Sequence, residues 1–299
     1  MADCAEICQN SYKERILPSG IYFRAWKPRI ESSKAIIFLH RGHEHSGRLQ
    51  QVIEELNFND AWVFAWDARG HGKTKLPLGS FNAMINDTDE FVDHLHRHFN
   101  IPCENIALVA HSFSAVAAAD YMQRKNNLNS MVLLTPAFHI NLYVPFAYEA
   151  LRVLCKLHPA AEVRSYVSGS MLTCSREEAA AYDADPSITK AISVNALLEL
   201  RQTAIGVLQQ AGKITVPTML LLAAADRVVH QKEQLEFFER LSSPNKVMKV
   251  FPGMKHDLFH ELEKDKVIYE LGSFLRKQLD LELQTVKSNR MQESMRSSI

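Results

Sequence analysis

The sequence predicts an α/β fold: a mostly parallel central sheet with helices on both faces and an inserted helical unit. Three observations carry this expectation. Apolar runs of strand length alternate with amphipathic helical patterns along most of the 299 residues. Several of those runs are apolar throughout, as strands covered on both faces must be. The alternation then lapses over one central stretch, where only helical patterns are visible.

Taken in order, strands are expected at residues 21–26, 35–39, 61–66, 105–110, 131–135, 218–225 and 247–251. Phe91, Leu95 and Phe99 recur at i, i+4 and i+8, and Ile268, Leu271, Phe274 and Leu275 form a similar stripe near the end, so each segment can lay one face on a sheet. Between residues 139 and 213, YVPFAYEALRVLCKL and AISVNALLELRQTAI read as helices with no clear strand between them. The expected organisation is therefore a core of residues 1–138 and 214–283, a helical cap at 139–213, and a polar tail or linker at 284–299.

Composition narrows the function. Lys+Arg and Asp+Glu are both 34, so no basic field exists to attract nucleic acid. The opening MADCAEICQNSYKER lacks the apolar stretch of a secretory signal, and nothing later supplies the roughly 18 apolar residues of a membrane span. A cytoplasmic location is the expectation. Cys4, Cys8, Cys103, Cys155 and Cys174 are odd in number and show no C-x-x-C spacing, which suggests neither a disulfide framework nor a zinc site.

The chemistry-bearing stretch is VAHSFSA at 109–115, where a strand runs into Ser112 and an Ala-rich helical pattern begins at once. That is the context of a nucleophile elbow, G-x-S-x-G, although Ala110 and Ser114 replace both glycines. Ser114 is the poorer nucleophile, because its own neighbours two positions away would be Ser112 and the branched Val116. A serine that merely caps a helix is the competing reading. A nucleophilic serine needs a histidine to take its proton and a carboxylate to orient that histidine, arriving later in the chain after successive strands. Asp226 closes the strand in TVPTMLLLAAADRVV, and His256 follows the next strand in KVMKVFPGMKHDLFHE. His260 is the rival base, one helical turn further on. An oxyanion hole would draw one N–H from Phe113 and another from the loop in AIIFLHRGHEHSGR.

These residues carry a resemblance. HRGHEHSGR resembles the H-G-x-G-E-H-S-G-R loop of monoacylglycerol lipases and their lysophospholipase-like relatives in the α/β-hydrolase fold. WDARGHGKT is similar to that family's D-x-x-G-H-G-x-S segment, AYDADPSI to the Y-x-x-D-P-x-x stretch of its cap, and ITVPTMLLLAAADRVV and FPGMKHDLFHE to its acid and histidine strands. The similarity runs from about residue 11 to 279. It implies Ser112 as nucleophile, Asp226 as acid, His256 as base, and Gly42 and Phe113 as oxyanion donors. It also implies a small-molecule acyl ester as substrate, such as a monoacylglycerol or lysophospholipid, and no cofactor. A thioesterase or acyltransferase using the same serine, or a non-catalytic binding protein on this fold, are the alternatives. Arg41 departs from the family, which has glycine there, and a long side chain is expected to crowd the oxyanion loop or reshape the pocket entrance.

Other signals weigh less. His40, His43, His45 and His71 lack a carboxylate or cysteine set that would complete a metal site, and His94 to His98 read as a solvated helix face. GHGKT ends like a phosphate-binding loop, but Asp67 stands where the first glycine is required. The apolar stretch 142–154 is expected to line an acyl pocket, to touch a membrane peripherally, or to pack on the core.

Overall fold

Strands that are apolar on both faces force a three-layer arrangement, and the computed structural model, which describes residues 12–282, shows how the chain achieves it. The first part runs β1 (Lys13–Ile16), β2 (Tyr22–Trp26), β3 (Ala35–Leu39), α1 (Gln50–Leu56), β4 (Trp62–Trp66), α2 (Phe81–Phe99), β5 (Ile106–His111), α3 (Phe113–Lys125) and β6 (Ser130–Leu134). The middle segment holds α4 (Ala147–Leu157), β7 (Glu162–Arg164), α5 (Gly169–Leu172), α6 (Arg176–Ala184), β8 (Ala191–Ser193) and α7 (Val194–Gln210). The chain then returns through β9 (Thr218–Ala223), α8 (Gln231–Arg240), β10 (Lys246–Phe251) and α9 (Lys264–Leu279).

The main sheet has eight strands in the order β1-β2-β4-β3-β5-β6-β9-β10. The β1–β2 and β2–β4 pairs are antiparallel and all others are parallel. Side-chain alternation divides the core into two. Ile37, Leu39, Phe64, Trp66, Leu108 and Ala110 face one side, with α2, α3 and α7, while Ile36, Phe38, Val63, Ala65, Ala107 and Val109 face the other, with α1 and α9. The alanines of α3 (Ala115, Ala117, Ala118 and Ala119) are fully buried, and their small side chains let this helix pack against both α2 and α7.

Parallel pairing brings the strands' carboxyl ends to one edge. Leu39 pairs with Ala110, His111 with Leu134, Leu134 with Leu221, and Ala223 with Phe251. The loops after β3, β5, β6, β9 and β10 therefore open side by side, at the edge where ligands meet sheets of this kind.

The seven expected core strands form, each within two residues of its expected bounds. The middle segment departs from expectation: it contains the antiparallel pair β7–β8, and AIS, read as the start of a helix, is β8. Each of these strands is three residues long and largely exposed, so neither displays an apolar run in sequence. The edge strand β1 was also missed. Its residues KERI are all exposed, and charges of this kind blunt an edge against pairing with another chain. The stretch 284–299, together with Cys4 and Cys8, lies outside the described residues. Among the described residues no helix is long and apolar enough to cross a membrane.

Phe91 lies at the centre of an aromatic group, with ring centroids 5.2 Å from Phe23, 5.9 Å from Phe64 and 4.4 Å from Trp66. Phe91→Ala should destabilise the protein by about 3–5 kcal/mol, measured as a lower urea midpoint.

Candidate active site

At the end of β5 the chain must reverse into α3 within one residue, and Ser112 adopts φ 56°, ψ −114° to do so. A non-glycine residue holds such a conformation only where its surroundings enforce it. Here the Ser112 N–H donates to Leu134 O at 2.8 Å, and the Ser112 carbonyl accepts from Ala115 and Ala137, both at 3.1 Å. The hydroxyl is thereby aimed at the imidazole of His256, with Oγ 2.8 Å from Nε2. His256 Nδ1 lies 2.8 Å from Asp226 Oδ2. With Nδ1 protonated toward the carboxylate, Nε2 is left to accept from the serine.

Asp226 is oriented in turn, because its Oδ1 accepts the N–H groups of Val228 (2.8 Å) and Val229 (3.1 Å). Burial pushes its pKa up, but the charge and hydrogen bond of His256 and the two N–H groups outweigh burial and hold it below the ordinary carboxylate value. The His256 carbonyl accepts from Thr135 Oγ1 at 3.0 Å and from His111 Nε2 at 3.1 Å. These two bonds tie the histidine loop to the ends of β5 and β6. Sequence reading had no signal for Thr135 or His111, whose contacts span 121 and 145 positions.

Both rivals are committed elsewhere. Ser114 Oγ donates to His40 O at 2.5 Å. The serine in the glycine position thus joins α3 to the loop after β3. His260 is buried, with Nδ1 2.9 Å from Asp257 Oδ1 and Nε2 3.2 Å from Arg48 O.

Gly42 and Phe113 face each other. A Cβ built on Gly42 would sit 3.6 Å from the Phe113 Cβ, and neither N–H has a hydrogen-bond partner among the described residues. Buried histidines hold this loop. His40 Nδ1 donates to Arg41 O while Nε2 accepts from Ala68 N, and His71 Nε2 accepts from His43 N. Burial lowers the pKa of His40 and His71 to about 4 and that of His43 to about 3, so all three are neutral connectors near pH 7.

Arg41 turns into the protein rather than out to the surface, being only 2% exposed, and its Nη1 donates to the Gly42 carbonyl at 3.4 Å within the loop itself. Its Nε lies 3.2 Å from Asp257 Oδ2, its Nη2 3.1 Å from Glu44 Oε2, and its guanidinium 4.7 Å above the Tyr182 ring. This one side chain links the loop after β3, the residue following His256, and α6.

Ser112, His256, Gly42, Phe113 and Arg41 open on a cavity of about 730 Å³ whose remaining wall is mostly apolar, including Ile140, Leu151, Leu154, Leu197, Leu200 and Val228. The stretch 142–154 supplies part of that wall. It also presents Phe146 and Val153 outward, at 81% and 57% exposure.

A family model described as "Serine aminopeptidase, S33" (Hydrolase_4) matches residues 30–263. The chain belongs to this family. A relative, the uncharacterised protein YnbC of Escherichia coli, is 38% identical over 263 residues, covering 86% of this chain but 45% of its own length. This chain thus spans less than half of that relative. Human monoglyceride lipase is 29% identical over 265 residues, covering 85% of this chain and 86% of its own. Among solved structures, the monoacylglycerol lipase of Paleococcus ferrophilus superposes with a TM-score of 0.78 at 23% identity, covering 86% of this chain and 99% of its own, which shows the α/β-hydrolase fold.

Two tests follow from the buried charges. Arg41→Met removes the cation shared by Asp257 and Glu44, leaving Asp257 with only His260 and Glu44 with only Arg48, and should cost up to about 3–5 kcal/mol, read from urea unfolding. His260 has its pKa raised: burial lowers it, but the Asp257 charge outweighs burial, and Asp257 itself is held well below its ordinary value. The stabilisation from this pair is full below the unfolded histidine's pKa of about 6.5 and fades as pH rises through the folded value. Wild type should therefore exceed His260→Gln in unfolding free energy by more at pH ~5.5 than at pH ~9.

Proposed function

We propose that this chain is a serine hydrolase cleaving carboxylic esters of acyl chains, monoacylglycerols and lysophospholipids being the substrate class, through an acyl-enzyme. The observation that carries the reading is a continuous relay, Asp226 to His256 to Ser112, whose hydroxyl opens on a large apolar cavity. A hydroxyl is a weak nucleophile until a base removes its proton, and an apolar chamber of this size accommodates an acyl chain.

In this mechanism Ser112 Oγ attacks the ester carbonyl carbon as His256 Nε2 takes the hydroxyl proton, and the C=O electron pair moves onto oxygen. The Gly42 and Phe113 N–H groups receive that oxyanion. Asp226 stabilises the imidazolium without itself becoming protonated. Collapse of the tetrahedral intermediate expels the alcohol, which leaves with the proton from His256. Water then attacks the acyl-enzyme by the same steps and releases the acid. The reaction draws on these side chains and needs no cofactor.

Residues 139–213 act as the cap in this reading. Their inward apolar side chains hold the acyl chain, and the outward Phe146, Val153 and Leu157 of the same segment offer a peripheral contact with a lipid surface. Cytoplasmic action is part of the proposal, in keeping with the free thiols of Cys103, Cys155 and Cys174.

With p-nitrophenyl esters of increasing chain length, Ser112→Ala should lower kcat by a factor on the order of 10⁴ or more and abolish labelling by a fluorophosphonate probe. Equal turnover in wild type and variant would overturn the assignment. Leu197→Trp, which fills the cavity, should shift the preferred ester toward shorter chains while leaving fluorophosphonate labelling intact.

A further inference from the structure

We propose that His139, His230 and Glu233 form a binding site for one divalent transition-metal ion of the zinc class, separate from the ester-cleaving site. The three side chains come from two strands of chain held in register by backbone. Ile140 and Val229 form an isolated antiparallel bridge, and the His230 N–H donates to His139 O at 2.9 Å. His230 immediately precedes α8, and Glu233 lies in its first turn. The two imidazoles are stacked, with centroids 4.2 Å apart and planes 13° from parallel. His139 Nδ1 lies 2.9 Å from Glu233 Oε1.

One ligand atom from each residue lies within 4.8 Å of the other two. Tetrahedral zinc with bonds of about 2.0–2.2 Å spaces its ligands by about 3.3–3.5 Å. Closing the site therefore takes a movement on the order of 1 Å, and His230, which is exposed, can rotate to supply it. A second observation points to a missing ligand partner. Glu233 Oε2 is buried and has no hydrogen-bond partner among the described residues, an arrangement that is costly for a carboxylate.

Two imidazoles and one carboxylate select zinc, nickel or copper over magnesium or calcium, which prefer all-oxygen sites. Three protein ligands leave a position for water. A bound ion fastens the chain after β6 to α8 and to His230, which lies four residues beyond Asp226, and so braces the loop that carries the carboxylate.

The test is isothermal titration of the untagged full chain with zinc chloride, alongside thermal unfolding. One equivalent of zinc should bind, magnesium should not, and a zinc concentration about a hundredfold above Kd should raise Tm by about 5 °C. His139→Gln, His230→Gln and Glu233→Gln should each weaken binding by about tenfold or more. His230 is exposed, so His230→Gln keeps the test independent of any folding defect in the other two variants. The stacked pair His94 and His98 on α2 is the internal control, and His98→Gln should change nothing. Absence of zinc binding, binding that survives all three substitutions, or binding lost in His98→Gln would each overturn the proposal.

Discussion

Everything at the candidate site depends on parallel strand pairing, because it is this pairing that delivers the ends of β5, β6, β9 and β10 to one edge. The hydrogen bond between Ser112 and His256 joins residues 144 positions apart, and that between His256 and Asp226 joins residues 30 apart. Neither side chain could be held by local structure alone. The strands fix where each loop begins, and backbone bonds then fix how it points. Ser112 N–H donates to Leu134 O, and the His256 carbonyl accepts from Thr135 and His111. A strained φ at Ser112 persists because the neighbouring strands over-determine it.

The departures from the family's glycines have a common explanation in packing. Ala110 is fully buried within β5, and Ser114 uses its hydroxyl to tie α3 to the His40 carbonyl. Arg41 is the larger change, since it adds a buried cation among Glu44, Asp257 and Tyr182. A buried ion network of this kind contributes less to net stability than its Coulomb energy suggests, since desolvation offsets much of it. Its geometric effect is clear: the loop after β3, the residue after His256, and α6 are joined through one guanidinium. The loop that carries Gly42 and the loop that carries His256 are thereby bound to the same scaffold.

The segment between β6 and β9 faces two environments. Leu151 and Leu154 of α4 line the cavity, whereas Val153 and Leu157 of the same helix are exposed. The exposed side of α4 also carries Glu149, Arg152 and Lys156, and in the proposed function a lipid surface covers the Val153 and Leu157 set among them while an acyl chain meets the inner side.

How much of this was legible beforehand follows from the range of each interaction. Apolar strands covered on both faces write their pattern locally, so the α/β class and the seven core strands could be read from residue order. The positions of Ser112, Asp226 and His256 at strand ends were legible for the same reason, as was the resemblance to monoacylglycerol lipases and their lysophospholipase-like relatives, which rests on short contiguous motifs. The short exposed pair β7–β8 carries no apolar pattern and could not be seen. The fate of the Arg41 side chain, the anchoring roles of Thr135 and His111, and the cluster of His139, His230 and Glu233 belong to tertiary structure alone. Each depends on groups brought together from remote parts of the chain, and no local pattern encodes a contact whose partner lies a hundred residues away.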